Sequence, residues 1–244
     1  MNISMENNMM GIKNKFVISI TFAMLVIATT ASAARNENTN PLTGQVAGDP
    51  AAESEAAIKI RSGRGDPVAG NEKSLLCQGC HGEKGISIDG LIPSLAGQYG
   101  PYITKELRNY QAGTRSHQIM NAMAATISDE DLDDISAYFA SQPMMKGDGK
   151  GANNEVGKKL YVRGDISRMV LACVNCHGVN GKGLTPNTSM FPILGGQQKE
   201  YLRLQLLNFK TGDRTNSPNG IMITIAKKLT EAELEALADY ISGL

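Results

Sequence analysis

The four cysteines of this 244-residue chain fall in two pairs, each followed directly by a histidine: Cys77-Gln78-Gly79-Cys80-His81 and Cys173-Val174-Asn175-Cys176-His177. His117 is the one histidine outside these pairs. Cys-x-x-Cys-His is the attachment pattern of a c-type haem. Two thiols one short turn apart can each add to a vinyl group of a protoporphyrin, and the neighbouring histidine then lies beneath the iron. Zinc or a disulfide would account for the cysteines, but neither gives a reason for a histidine behind each pair. Two covalent haems are therefore expected, on Cys77, Cys80, Cys173 and Cys176, with His81 and His177 as proximal iron ligands.

The sixth ligand decides what such an iron can do: an open position admits small molecules, whereas a methionine closes it and leaves a carrier. The second half of the chain reads as a copy of the first, which narrows the choice among 12 methionines. Ile92-Pro93-Ser94-Leu95-Ala96-Gly97-Gln98 matches Phe191-Pro192-Ile193-Leu194-Gly195-Gly196-Gln197. Tyr102, Leu107, Tyr110, Gly113 and Arg115 match Tyr201, Leu206, Phe209, Gly212 and Arg214. The offset is 96 at the cysteines, 99 at the prolines and 102 near the end, so two small insertions separate the copies. Met120 and Met222 each lie seven residues before matching positions, Ile127 and Leu229, and are the expected distal ligands. Met123 aligns with Ile225 and reads as core filler. His117, three residues before Met120, has no histidine partner in the second copy and is expected at the surface or beside the iron site. The backbone oxygens of Pro93 and Pro192 are available to accept the other ring nitrogen of each proximal histidine, or the prolines serve only as turn residues.

The elements that must hold these residues are helical, with no convincing strand alternation. Helices are expected over about 100–112 and 199–211. Ser128 and Thr230 open capping boxes with Asp131 and Glu233 for the last helix of each copy. Behind them Leu132, Ile135 and Phe139, and Leu234, Leu237 and Ile241, recur at helical spacing. The expected fold is all-α: domain 1 over 66–145, a linker over 146–155 and domain 2 over 156–244. Residues 34–65 read as a leader, with one short helix near Glu53–Arg61. Ahead of it, Lys13 and Lys15 precede the apolar run Phe16–Thr30 and then Ala31-Ser32-Ala33-Ala34. This is the pattern of a cleavable secretory signal over residues 1–33, and the run is shorter than the roughly 20 residues of a spanning helix.

From about residue 66 to 244 the chain resembles the di-haem cytochrome c4 family, built of two class I cytochrome c domains. The resemblance rests on Gly157-Lys158-Lys159-Leu160-Tyr161, Ala172 to Gly178, Asn180-Gly181-Lys182-Gly183, the Met120 and Met222 segments, and Ala137-Tyr138-Phe139-Ala140-Ser141-Gln142. It implies one-electron transfer in the bacterial periplasm, from a quinol-oxidising complex or a dehydrogenase toward a terminal haem–copper oxidase. It also implies haem propionates that face one another between the domains, where Arg115 and Arg214 either meet them or lie solvated on the surface. Peripheral membrane association stays open, and no nucleic acid is expected as a partner. Two other readings compete: the haem subunit of a periplasmic dehydrogenase, such as a flavocytochrome sulfide dehydrogenase, and a di-haem peroxidase, which needs one open iron.

The chain carries no net charge, but residues 66–145 hold five basic and ten acidic residues and residues 146–244 hold 13 and nine. Such a dipole can orient the chain on charged partners. The methionine assignment predicts a weak absorption band near the red edge of the oxidised spectrum. Met120→Ala and Met222→Ala should each remove one haem's share of it. Loss of the band in Met123→Ala instead would overturn the register.

Overall fold

The computed structural model describes residues 53–184 and 190–244, which fall in a single compact unit. The expected signal segment over residues 1–33, and the leader as far as residue 52, lie outside the described residues. Among the described residues no helix is long and apolar enough to cross a membrane. They form helices and turns, and the one β feature among them is an isolated bridge between Asp165 and Val170.

The first half contains α1 (Glu55–Ser62), α2 (Pro67–Lys73), α3 (Leu75–His81), α4 (Gly100–Gln111), α5 (Gln118–Ala125) and α6 (Asp129–Ser141). The second contains α7 (Glu155–Arg163), α8 (Val174–His177), α9 (Lys199–Thr211), α10 (Ile221–Ala226) and α11 (Glu231–Ser242). The fold is all-α with two tandem halves, as expected. The last helix of each half is its spine: α2, α4 and α1 pack on α6, and α7 and α9 pack on α11. Leu132, Ile135 and Phe139 of α6 lie in one core, and Leu234, Leu237 and Ile241 of α11 in the other. The apolar faces that the helical spacing marked out are therefore the buried ones.

The spines start as their capping residues dictate, with one difference. Thr230 forms a full capping box, accepting from Glu233 N at 3.2 Å while Glu233 Oε2 accepts from Thr230 N at 2.8 Å. Ser128 accepts from Asp131 N at 3.2 Å, and this bond has no counterpart from the shorter Asp131 side chain, which instead pairs with Lys73 at 2.7 Å. A cap of either kind satisfies a backbone donor that the helix start leaves free.

Two glycines set how closely the helices cross. Gly70 of α2 lies against the Asp134 carbonyl and Tyr138 Cβ, and Gly157 of α7 lies against the Ala236 carbonyl and Tyr240 Cβ. A Cβ at either position would collide with the spine's backbone, so glycine is required by the approach itself. These glycines are offset by 87 and the first cysteines by 96, which reveals a further insertion of nine residues upstream of Cys173. It forms the turn closed by the Asp165–Val170 bridge, and Arg168 ties it to Glu233 of α11 at 2.6 Å.

The end of the expected leader is structural. Ser54 caps α1, and Arg61, 2% exposed, donates Nε to Ala140 O at 2.8 Å and Nη2 to Gln142 O at 3.2 Å, with Glu53 as its ion-pair partner. A buried charge is tolerable when it is paired and hydrogen-bonded in this way. Residues 146–155 are likewise tied down, with Gly147 N donating to Leu244 O at 2.9 Å and a 3-10 turn, Gly151–Asn153, packed on α11. Gly70→Ala and Gly157→Ala should each destabilise the protein by about 2–3 kcal/mol through overpacking. Urea unfolding of the holoprotein measures this, and unchanged midpoints would show that the crossings relax freely.

Candidate functional site

The haem-type motifs lie on α3 and α8. Helix α3 ends at His81 and α8 at His177, and each is followed by a glycine at positive φ, Gly82 at 87° and Gly178 at 77°. Both imidazoles are buried. His81 Nδ1 lies 2.8 Å from Pro93 O, and His177 Nδ1 lies 2.8 Å from Pro192 O. A carbonyl only accepts, so each Nδ1 carries the proton and each Nε2 keeps its lone pair, the tautomer an iron ligand needs. Burial lowers both imidazole pKa values and the proline carbonyls push back, so both rings are held neutral. The proline oxygens thus take the part that sequence left open between ligand support and simple turns.

His81, Met120, His177 and Met222 all line one continuous cavity that runs between the halves. Its walls are matched by the duplication: Leu95 with Leu194, Leu107 with Leu206, Tyr110 with Phe209. Cys80 also lines it, whereas Cys77 and Cys173 pack against the two cores and Cys176 is half-buried. Burial raises the Cys77 thiol pKa and pushes that of Cys173 up to about 12, so both are protonated thiols in the free chain. Ile225 packs in the second core, and Met123 is half-buried on α5 away from the cavity wall.

The helices that carry the two methionines start differently. His117 is the N-cap of α5, its Nδ1 accepting from Met120 N at 3.3 Å, and it lines the cavity as well. In the second half Ser217 Oγ accepts from Met222 N at 3.3 Å across the turn Pro218–Gly220, where Asn219 and Gly220 take positive φ. His117 therefore supports the methionine segment through its backbone, a role that spacing alone did not reveal.

The donor set and the cavity fit two covalent haems: soft thiol and thioether groups, neutral imidazoles with Nε2 free, and an apolar wall. Among the described residues no group of three or more His, Cys, Asp and Glu side chains converges, so the zinc reading finds no ligand set there. The cytochrome c family model matches residues 69–143 and 155–244. A cytochrome c4 from Pseudomonas aeruginosa is 39% identical over 181 residues, covering 74% of this chain and 89% of its own. The chain belongs to the di-haem cytochrome c4 family. The crystal structure of reduced recombinant cytochrome c4 from Pseudomonas stutzeri superposes with a TM-score of 0.68 at 38% identity, covering 74% of this chain and all of that one. A thiosulfate dehydrogenase electron acceptor from Stutzerimonas stutzeri is 34% identical over 71% of this chain and 81% of its own. As a cytochrome c4 family member the chain carries two covalent c-type haems and is an electron carrier.

In this cytochrome the two halves are clasped beside the histidines of the two motifs. Gln98 accepts from Ile193 N and donates to Ile193 O, both at 2.8 Å, and Gln197 does the same with Ser94 N and O, also at 2.8 Å. Sequence comparison marked these glutamines only as a repeat; their partners lie 95 and 103 residues away and follow from tertiary contact alone. Arg115 and Arg214, each 7% exposed, are not solvated surface groups but lie in the same interface. Gln98→Ala or Gln197→Ala would leave two backbone N–H groups (Ile193 and Tyr99, or Ser94 and Gln198) and one buried C=O without partners, at about 1–3 kcal/mol for each buried group. Denaturation should then show the halves unfolding in two steps. A single unshifted transition would mean that the clasp contributes little.

Proposed function

We propose that this cytochrome is exported, that residues 1–33 are removed, and that in the periplasm it accepts single electrons from a quinol-oxidising complex or a dehydrogenase and passes them toward a terminal oxidase. The observation that carries the reading is the single cavity onto which both sets of candidate iron ligands open. Cys77, Cys80, Cys173 and Cys176 would hold the two haems covalently, and His81 with Met120 and His177 with Met222 would ligate the two irons. When bound, each haem supplies a one-electron Fe(III)/Fe(II) couple.

The chain's own residues perform the rest. The carbonyls of Pro93 and Pro192 fix the imidazole rings, so ligand geometry is retained as the charge at the site changes. With haem bound, the thioethers of Met120 and Met222 would keep other ligands away and favour the reduced form. Apolar walls exclude water, which lowers the reorganisation of solvent at each transfer. The clasp of Gln98 and Gln197 keeps the two sites at a fixed separation, so exchange between them needs no encounter step.

The relatives named as thiosulfate dehydrogenase electron acceptors favour a second reading of the donor, in which an enzyme that oxidises an inorganic sulfur compound reduces this chain directly. The same carrier chemistry serves both. Stopped-flow reduction by a thiosulfate dehydrogenase and by a quinol-oxidising complex, followed by mixing with a haem–copper oxidase, separates them. The acidic first half and basic second half predict rates that fall as salt rises with at least one partner. Carbon monoxide should leave the reduced wild-type spectrum unchanged and should bind Met120→Ala. Binding to the wild type would favour the peroxidase reading, and an intact residue 1 on the mature protein would overturn export with cleavage.

A further inference from the structure

At the interface the duplication brings three pairs of side chains into one cluster: Tyr102 with Tyr201, Arg115 with Arg214, and Glu106 with Gln205, all offset by 99. Arg115 donates Nη1 to Glu106 Oε2 at 2.7 Å and Nη2 to Tyr201 OH and Gln205 Oε1, both at 3.0 Å. Arg214 donates Nη1 to Gln205 Oε1 at 2.9 Å and Nη2 to Tyr102 OH at 3.1 Å and Glu106 Oε2 at 3.2 Å. Each guanidinium also stacks over the aromatic ring of its own half, Arg115 on Tyr110 at 4.7 Å and Arg214 on Phe209 at 4.6 Å. The two halves therefore build the same device, and each arginine reaches the other half's tyrosine.

Two of the three pairs agree with that symmetry in charge. The third does not, because Glu106 is a carboxylate where its copy, Gln205, is a neutral amide. Glu106 is 6% exposed and takes two further donors, Lys105 Nζ at 2.7 Å and Asn216 Nδ2 at 2.7 Å. Burial alone would raise its pKa, but Arg115, Arg214 and Lys105 outweigh it and hold the carboxyl below the usual carboxylate range. It is ionised, fixed by charge-assisted bonds, and shielded from solvent. Glu106, Arg115 and Arg214 line the same cavity as His81, Met120, His177 and Met222. A charge in such a setting acts on its neighbours through a far lower dielectric than water.

We propose that Glu106 is a positioning residue for electron transfer that sets the potential of both haems, its fixed negative charge stabilising the oxidised irons while it holds the two guanidinium groups in place. The proposal rests on the two-haem carrier reading and on no particular donor or acceptor. Glu106→Gln writes the second half's residue into the first and keeps size and hydrogen-bonding capacity while removing the charge. In the holoprotein, spectroelectrochemical titration should show both midpoint potentials shifted upward with the methionine–iron band retained, while the thermal unfolding midpoint falls because two buried guanidinium groups lose their counter-charge. Glu106→Asp, which keeps the charge, should stay near the wild type. Gln205→Glu should shift both potentials downward, and it carries the test alone if Glu106→Gln does not fold. The shifts should persist at high salt, because a buried charge is screened much less than a surface one.

Unchanged potentials in Glu106→Gln would overturn the proposal. So would an equal shift in Glu106→Asp, which would make geometry rather than charge the cause, and so would loss of the methionine–iron band in Glu106→Gln. Failure of the axial-ligand reading is distinguishable, since it would appear as a missing band in the wild-type spectrum before any variant is made.

Discussion

One short loop, used twice, couples ligand geometry to the interface. In Pro93–Gln98 and Pro192–Gln197 the proline carbonyl holds the imidazole of a Cys-x-x-Cys-His motif, and the next residue presents its N–H and C=O to the other half's glutamine. The glutamine that ends each loop returns the same two bonds across the interface. An amide side chain is the one neutral group that can both donate and accept with two atoms side by side, so it can satisfy a backbone N–H and C=O together. Because the groups are buried, the arrangement tolerates no missing partner. Histidine orientation in either half is thereby tied to the docking of both.

The rest of each half serves to present that loop. The spines α6 and α11 bring their cores against it, and Gly97 N and Gly196 N donate to Phe139 O and Ile241 O at 2.9 and 3.1 Å. The close glycine crossings seat α2 and α7 on the spines, and the cysteine helices α3 and α8 pack against α2 and α7 in turn. Charge follows a different logic from shape. Surface ion pairs such as Arg108 with Asp129 are exposed and contribute little. The cluster around Glu106 is enclosed, and there a single carboxylate balances part of the charge on three cations.

Much of this was legible from residue types. The thiol–imidazole motif has a chemistry that few other uses share, so it pointed to haem without any structure. The helices over 100–112 and 199–211 and the capped last helices followed from local periodicity and capping, which depend on neighbours within four residues. Ser128 shows the limit, since Asp131 has a shorter side chain than Glu233 and turns to Lys73 instead. The nine-residue insertion before Cys173 was hidden because the conspicuous matches all begin at the cysteines. Arg61 read as part of an extended leader, although it is among the most deeply buried side chains. Its partners, Ala140 O and Gln142 O, are 79 and 81 residues away, and no local pattern signals them.

The sequence by itself determined the cofactor chemistry, the duplication and the helical elements, because each is written in the spacing of residues close along the chain. Tertiary structure alone decided which surfaces of the two halves meet. It turned a pair of repeated glutamines into a clasp and two arginines that spacing left undecided into a buried cluster, and it gave His117 its place as a helix cap. The Cys-x-x-Cys-His motifs name the group to be held. Long-range packing makes the environment that tunes it, since burial and dielectric belong to the folded whole and not to any segment.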